Sequence, residues 1–238
     1  MPATFTIAVP GHAELHVTTR SGRVTVIAEE RADVFAEEGA SSRGPDVDAT
    51  GRISLGSAKR GSANLVVRCQ AGTDLTVGTI SGNVELRGAL GRVRITTVSG
   101  SAAVERVEEL DARTISGNIE VERSTGRCSL HSKSGHALCG SARDARVSTI
   151  SGQIRLDETT GNVRAQTVSG SVEVATQRDG DVAVQTVSGS VKIEVPEGVR
   201  ADAHLRSLAG RPRCDCPEGD DCRIAVRSMS GKIEVVCA

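Results

Sequence analysis

A short motif, Thr-x-Ser-Gly followed by alternating apolar residues, recurs along this chain and limits the folds open to it. Successive motif glycines are separated by 17 to 21 residues. Such a regular period is typical of repeat architectures, in which each unit packs against its neighbours. The nine motif glycines are Gly82, Gly100, Gly117, Gly135, Gly152, Gly170, Gly189, Gly210 and Gly231.

Apolar residues lie at fixed distances from each motif glycine. Ile154 and Leu156 follow Gly152 by two and four residues, and Val163 and Ala165 precede Gly170 by seven and five. Alternation with period two on both sides of the glycine predicts two short strands per repeat, each with one apolar face. The Ser-Gly pair then forms the corner between the two strands, where a residue without a Cβ fits best.

Repeats of this kind bury their apolar rows when they stack in register. We therefore predict an all-β, single-domain parallel β-solenoid of about ten coils, whose strands lie ~4.8 Å apart. Residues 1–62 have looser spacing and are expected to form irregular N-terminal coils or a cap, with the path of residues 28–62 left open. Residues 63–238 are expected to form the regular repeats of the same continuous domain.

The composition excludes several partners. The 29 basic and 30 acidic side chains give a net charge of −1, and without a Lys/Arg cluster this argues against nucleic acid and anionic membranes. No Trp or Tyr is available to stack on bases or sugars. The sequence contains no apolar stretch near ~18 residues and does not begin like a signal peptide. We expect a cytoplasmic protein without direct membrane insertion; an association with the envelope would require a partner.

The TxSGxVxV repeats and the opening FTIAVPGHAELHVTTRSGRVTVIAEE resemble the bacterial putative-adhesin β-strand-repeat family, a domain of unknown function. The resemblance covers nearly the whole chain. It implies a right-handed β-solenoid without known catalytic residues, and a role in surface attachment, envelope-stress sensing or scaffolding.

Seven irregularly spaced cysteines suit a reducing compartment better than a disulfide framework. Cys214, Cys216 and Cys222 lie within nine residues, and with His204 they are weak candidates for a zinc site. The spacing is not a known zinc signature, and Cys214 falls on an inward offset, so no metal or cofactor is predicted.

The other cysteines also follow the repeat. Cys69, Cys128 and Cys139 fall on apolar offsets and are predicted to lie in the core. Cys216 and Cys237 each follow a motif glycine by six residues, which places them within reach of a disulfide, although in the cytosol they are expected to stay reduced.

The repeated serines, such as Ser99 and Ser169, are too equivalent to include a nucleophile, because catalysis needs one exceptional serine beside a base. We predict that the chain is not an enzyme. A solenoid enzyme acting on polysaccharide is an alternative, but coils of 17 to 19 residues leave little room for the side loops of a substrate groove. An ice-binding solenoid is a further alternative, which requires the motif threonines to face outward.

The last repeat lacks a visible cap, since its alternating strand runs almost to the last residue. Ile233, Val235 and Cys237 would then be covered either by the CDCPEGDDC segment folding back or by another chain. We favour the second and predict a homo-oligomer or filament formed through terminal coils. The main hypothesis is therefore a non-enzymatic structural or interaction protein that binds protein, its own copies included. The alternative is an envelope-stress or adhesin-like recognition module.

Overall fold

The structure, a computed structural model, describes residues 3–8, 14–38, 42–47, 52–57, 64–177 and 180–237. This part of the chain contains no helix, and therefore no helix able to cross a membrane. Strands make up 75% of the described residues. They are β1 (Ala3–Ala8), β2 (Glu14–Thr19), β3 (Arg23–Glu29), β4 (Asp33–Glu38), β5 (Ser42–Val47), β6 (Ile53–Ser57), β7 (Leu65–Gln70), β8 (Asp74–Thr79), β9 (Asn83–Thr97), β10 (Ala102–Ser116), β11 (Ile119–Ser134), β12 (Ala137–Ser151), β13 (Ile154–Thr159), β14 (Val163–Ser169), β15 (Val172–Thr176), β16 (Val182–Ser188), β17 (Val191–Val195), β18 (Ala201–Ser207), β19 (Pro212–Cys214), β20 (Cys222–Ser230) and β21 (Ile233–Cys237).

These strands form stacked parallel coils, so the predicted β-solenoid is confirmed, with about nine turns. The chain divides into two compact units, residues 1–121 and 122–238. The alternation predicted from the sequence sets the core of both units. Ile154 and Leu156, for example, are buried, whereas Arg155 between them is exposed.

In the first unit, the coils do not stack in chain order. Strand β2 pairs in parallel with β6 and β8, and β3 pairs in parallel with β7 and β9. The coil made by β2 and β3 therefore lies between two coils that come later in the sequence. On the far side of β6 and β7 the pairing becomes antiparallel: β4 pairs with β7 and β1, and β5 pairs with β6. Part of the segment left open at 28–62 thus covers the edge of the parallel stack, which would otherwise leave unpaired backbone groups.

The second unit has a similar exchange of order. Strand β20 pairs with β16 on one side and with β18 on the other, and β21 likewise pairs with both β17 and β19. The coil formed by β20 and β21 is therefore inserted between two earlier coils.

This insertion corrects the expectation of an uncovered last coil. Ile233 and Val235 are fully buried, because Pro212 and Cys214 of β19 pair with them on the side predicted to be open. The segment between β19 and β20 adds to the cover of β18, since Ala201 N donates to Pro217 O at 2.9 Å. End-to-end association through Ile233, Val235 and Cys237 therefore loses its structural basis.

The cysteines predicted to point inward do not all lie in the core. Cys69, Cys128 and Cys139 are buried, as expected from their offsets. Cys214 is exposed, so its assignment to the core is wrong. The reason is its place on β19, beyond which no described strand packs against it.

Stacked corners bring the motif glycines into close contact. A Cβ on Gly100 would lie 1.8 Å from the carbonyl oxygen of Gly82, and a Cβ on Gly152 would lie 2.0 Å from that of Gly135. Gly152 also has a φ of +145°, whereas Gly100 lies outside the positive-φ region. Close approach to the neighbouring coil is therefore the requirement that these two corners share, and unusual φ is an additional one at Gly152.

Three alanine substitutions in the first unit separate the effect of close contact from the effect of an unusual φ. Gly100→Ala should lower the free energy of unfolding by about 3 kcal/mol or more, because the added methyl meets backbone that cannot move without separating two coils. Gly72 has a φ of +80° and nothing within 4 Å of its missing Cβ, so Gly72→Ala should cost about 1 kcal/mol from strain alone. Urea unfolding of each purified variant measures the change.

Gly78 provides the matched control, since its missing Cβ also has open space around it and its φ is ordinary. Gly78→Ala should change stability by only about 0.5 kcal/mol. Equal losses for Gly100→Ala and Gly78→Ala would contradict the close-contact explanation.

Candidate functional site

The corner of most coils exposes an apolar side chain next to an inward threonine or serine, whereas Arg20 and Lys133 occupy the exposed position in two coils. The motif threonine points inward, where Thr79 Oγ1 accepts a hydrogen bond from Gly82 N at 2.9 Å and Thr97 Oγ1 one from Gly100 N at 3.0 Å. The following residue must point outward because side chains alternate along a strand. Since the threonines are buried, the ice-binding alternative lacks the outward threonine surface that it requires.

In the second unit, these outward residues form a continuous apolar row, here called the corner row. Exposure ranges from 43% at Val187 to 82% at Leu208. The members lie on adjacent strands, because the residues that precede them pair across those strands. These pairs are Thr149–Thr167, Thr167–Thr186, Thr186–Ser228 and Ser207–Ser228. At ~4.8 Å per strand the row extends over about 19 Å. In spatial order it consists of Ile150, Val168, Val187, Met229 and Leu208.

The first unit has a shorter row of the same kind. Ile80, Val98 and Ile115 are 40–47% exposed at the equivalent position of three successive coils. Single exposed aliphatic residues are common on protein surfaces and need no explanation. A contiguous group of exposed apolar residues, in contrast, often indicates an interaction site.

The sheet face beside the corner row carries arginines in stacked pairs. Strands β12, β14, β16, β20 and β18 form this face, called here the arginine face. Arg146 pairs across strands with Arg164, and Arg206 pairs with Arg227. All four side chains are exposed, and none makes an ion pair with another residue in the described ranges. On this face Arg223 pairs with Asp202 at 3.9 Å, whereas the four stacked arginines present positive charge without an ion pair to a described residue.

The other sheet face of this unit carries paired charges of both signs. Its outward residues alternate in sign from strand to strand in the spatial order Arg155, Glu173, Lys192, Glu234 and Arg213. Pairs along the strands add to this balance, such as Arg155 with Asp157 at 2.6 Å and Arg213 with Asp215 at 2.9 Å. We call this surface the charge ladder. In the sequence, Arg213 comes before Glu234. The signs alternate along the whole ladder only because the coil with Glu234 is inserted between those with Lys192 and Arg213.

The residues predicted as weak metal candidates are not assembled into a site. Cys216 is bonded to Cys237, Cys222 is buried at the start of β20, and Cys214 is exposed on β19. His204 lies 3.2 Å from a carboxylate oxygen of Asp202. Across the described ranges no group of three or more His, Cys, Asp or Glu side chains is arranged to hold a metal ion.

The disulfide between Cys216 and Cys237 differs from the expectation that both thiols stay reduced. Their Cα atoms are 5.4 Å apart, within the usual range for a disulfide. The bond ties the segment after β19 to the end of β21, so it fastens the outermost coil to the inserted one. The cytoplasmic location stays a prediction.

Loss of this disulfide should loosen the coil formed by β18 and β19. In the chain-entropy picture, a bond closing a loop of 21 residues contributes about 3 kcal/mol. Cys237→Ser should therefore raise amide exchange in β18 and β19, measured by hydrogen exchange and mass spectrometry, while β13 and β14 exchange as before. Unchanged exchange in β18 and β19 would show that strand pairing alone holds this coil.

The free thiols should differ sharply in reactivity. Burial raises the pKa of Cys69 to about 11, and it also raises the pKa of Cys222. The hydrogen bond with the Cys139 thiol, together with burial, raises the pKa of Cys128 well above its ordinary value. Since the thiolate is the reactive form, these buried thiols should be inert near neutral pH.

Ellman's reagent should therefore modify one thiol per folded chain, that of Cys214. The same reagent in guanidinium should modify all five free cysteines. Cys214→Ser should abolish the rapid reaction of the folded protein. Rapid modification of that variant would contradict the placement of the other four thiols.

The corner row was not predicted from the sequence, although a signal for it is present there. Ile or Val stands between Thr and Ser in six of the motifs, as in Thr-Ile-Ser-Gly at Thr149 and Thr-Val-Ser-Gly at Thr167. Once the threonine is placed inward, strand alternation turns this apolar residue outward.

The fold and this surface define a repeat protein of the β-solenoid class, with outward apolar and charged rows. The family model described as Toastrack DUF4097 matches residues 6–211. The chain belongs to the Toastrack DUF4097 family, and the family resemblance inferred from the repeats is confirmed.

Solved structures share the fold at low sequence identity. A protein from Parabacteroides distasonis named as a putative lipid binding protein is 13% identical, with a TM-score of 0.60 over 99% of this chain and 96% of its own. A putative adhesin from Bacteroides fragilis is 14% identical, with a TM-score of 0.49 over 99% and 97% of the two chains. No curated protein matches the sequence significantly. The family description does not denote an enzyme.

Proposed function

We propose that this protein is a non-enzymatic binding module that attaches to a protein partner along the corner row. The observation that carries the proposal is the contiguous exposure of Ile150, Val168, Val187, Met229 and Leu208 beside a flat sheet face. Covering aliphatic side chains is favourable by ~25 cal/mol per Å² of apolar surface removed from water. A partner that covers the row gains this energy without any rearrangement of the rigid coils.

The regularity of the surface supports binding over catalysis. Five coils of the second unit present an apolar residue at the same offset, so they offer equivalent contacts to an extended partner. An active site needs a unique group of side chains with distinct roles. The corner serines, such as Ser169 and Ser188, pair in register along the stack and are equivalent to one another.

The partner is best found by crosslinking from the row itself. A photoreactive amino acid at Val168 or Val187, in the cells that make this protein, should crosslink to the same protein from both positions. The matched control is the photoreactive residue at Glu173, which lies on the charge ladder. Equal crosslinking from Glu173 would contradict binding along the corner row.

Reconstitution with the purified partner then tests the energetics. Val168→Thr combined with Val187→Thr keeps the shape of both side chains but makes them polar, and should weaken binding about tenfold, or ~1.4 kcal/mol. The melting temperature should be unchanged because both residues are exposed. Unchanged affinity of the double variant would refute the proposal.

A further inference from the structure

We infer that the partner surface is acidic and that its carboxylates pair with the arginine face. This inference rests on the proposed function, since the arginine face adjoins the corner row and one partner would cover both. Arg164 and Val168 are outward residues of the same strand, and so are Arg227 and Met229.

The arginine pairs are unfavourable for the isolated protein. Like charges directly opposite each other on neighbouring strands destabilise a sheet. Arg146 faces Arg164 and Arg206 faces Arg227, and none of the four has a carboxylate partner in the described ranges. An anionic partner would remove this repulsion, so the pairs favour the bound state.

The fold itself does not require unpaired charge on a sheet face. On the charge ladder, every outward residue faces one of opposite sign on the next strand. The first unit gives a further example of paired charge: Arg94 and Arg113 both lie near Asp111, at 3.6 Å and 3.1 Å. The arginine face differs in that two pairs of arginines stand opposite each other on neighbouring strands without an ion pair to any residue that the structure describes.

The shape of this face is suited to incoming side chains. Ala183 and Ala225 stand opposite each other on β16 and β20, between the two arginine pairs. Their short side chains form part of a shallow hollow of about 690 Å³, which Arg146, Arg164 and Arg223 also line. Asp144 and Asp181 are the hollow's own acids, and Asp144 already accepts a hydrogen bond from Asn162 N at 3.0 Å. A partner carboxylate could enter there and bind a guanidinium through two parallel hydrogen bonds.

A protein fits this surface better than a lipid membrane does. The four corner-row members from Ile150 to Met229 are only 43–55% exposed, so about half of each side chain already packs on its neighbours. Only Leu208, at 82%, is largely exposed among the five members of the row. Trp and Tyr, which commonly anchor proteins at the membrane interface, are missing from the sequence. Arginine beside apolar residues is, in contrast, enriched at protein interfaces.

The test uses a defined probe, a short fluorescein-labelled peptide of alternating Glu and Val, and measures its binding by fluorescence anisotropy. A second peptide with Lys in place of Glu keeps the apolar side chains but reverses the charge. The arginine variant is Arg146→Gln with Arg164→Gln. Its matched control is Arg155→Gln with Arg213→Gln on the charge ladder, and thermal melting shows that both variants fold.

We expect the Glu peptide to bind the unmodified protein and the Lys peptide not to bind. The arginine variant should weaken binding of the Glu peptide about tenfold at low salt, and the control variant should not. Equal binding of the two peptides, or undiminished binding to the arginine variant, would overturn the inference. So would stronger capture of the protein by phosphatidylglycerol vesicles than by the Glu peptide, lost in the arginine variant, because this would identify a lipid surface as the anionic partner.

The variant Val168→Thr with Val187→Thr separates this inference from the function on which it rests. If this variant binds the Glu peptide as tightly as the unmodified protein while the arginine variant does not, the corner row takes no part and the proposed function fails. If the corner-row variant loses affinity and the arginine variant does not, only the acidic character of the partner is refuted.

Discussion

The contact between glycines of successive coils is the constraint on which the rest of the structure depends. With only 1.8–2.1 Å between an added Cβ and the neighbouring carbonyl oxygen at Gly100, Gly117 and Gly152, any side chain there would force the coils apart. The parallel ladders on both sides of the corner require the coils to stay at hydrogen-bonding distance. Glycine at the corner therefore fixes the register of the strands, and with it the alignment of every inward and outward row.

That alignment is also what makes a binding surface from ordinary residues. A single exposed valine on a strand has no particular meaning. When register places Val168 beside Val187 and Ile150, the same residues become one apolar band. Register also decides the electrostatics, since it pairs Glu173 with Lys192 on one face and Arg146 with Arg164 on the other. The two faces of one stack therefore differ in charge although they share the same backbone.

Much of this fold could be predicted from the sequence, because its strongest signals are local. The alternation around each motif glycine correctly placed residues such as Leu156 and Val163 in the core, and the repeat identified the solenoid and the family. The order of the coils could not be obtained in this way. Inward positions of all coils carry similar aliphatic residues, so the apolar pattern fits any coil beside any other.

The charges held information about coil order that the apolar pattern lacked. In chain order, Lys192 would be followed by Arg213, and two cations would face each other across strands. Placing Glu234 between them removes this repulsion, as the structure does. The candidate site was not predicted from the sequence, because the reactive side chains of Cys214 and its neighbours were considered instead. The corner row can be recognised only when the direction of each side chain is known.

The exchanged order of coils affects how the second unit can form during synthesis. A solenoid stacked in chain order can add each coil to the previous one as it leaves the ribosome. Here β18 and β19 are made before β20 and β21, the parallel strands that they pair with. They therefore remain without their parallel partners until β20 and β21 have been made. Meanwhile, the open edge of the stack at β16 and β17 offers the same strand spacing and the same kind of inward apolar row as those later partners. The first-made coil must therefore leave that edge free for the later one, so the order of synthesis and the order of stacking differ in this unit.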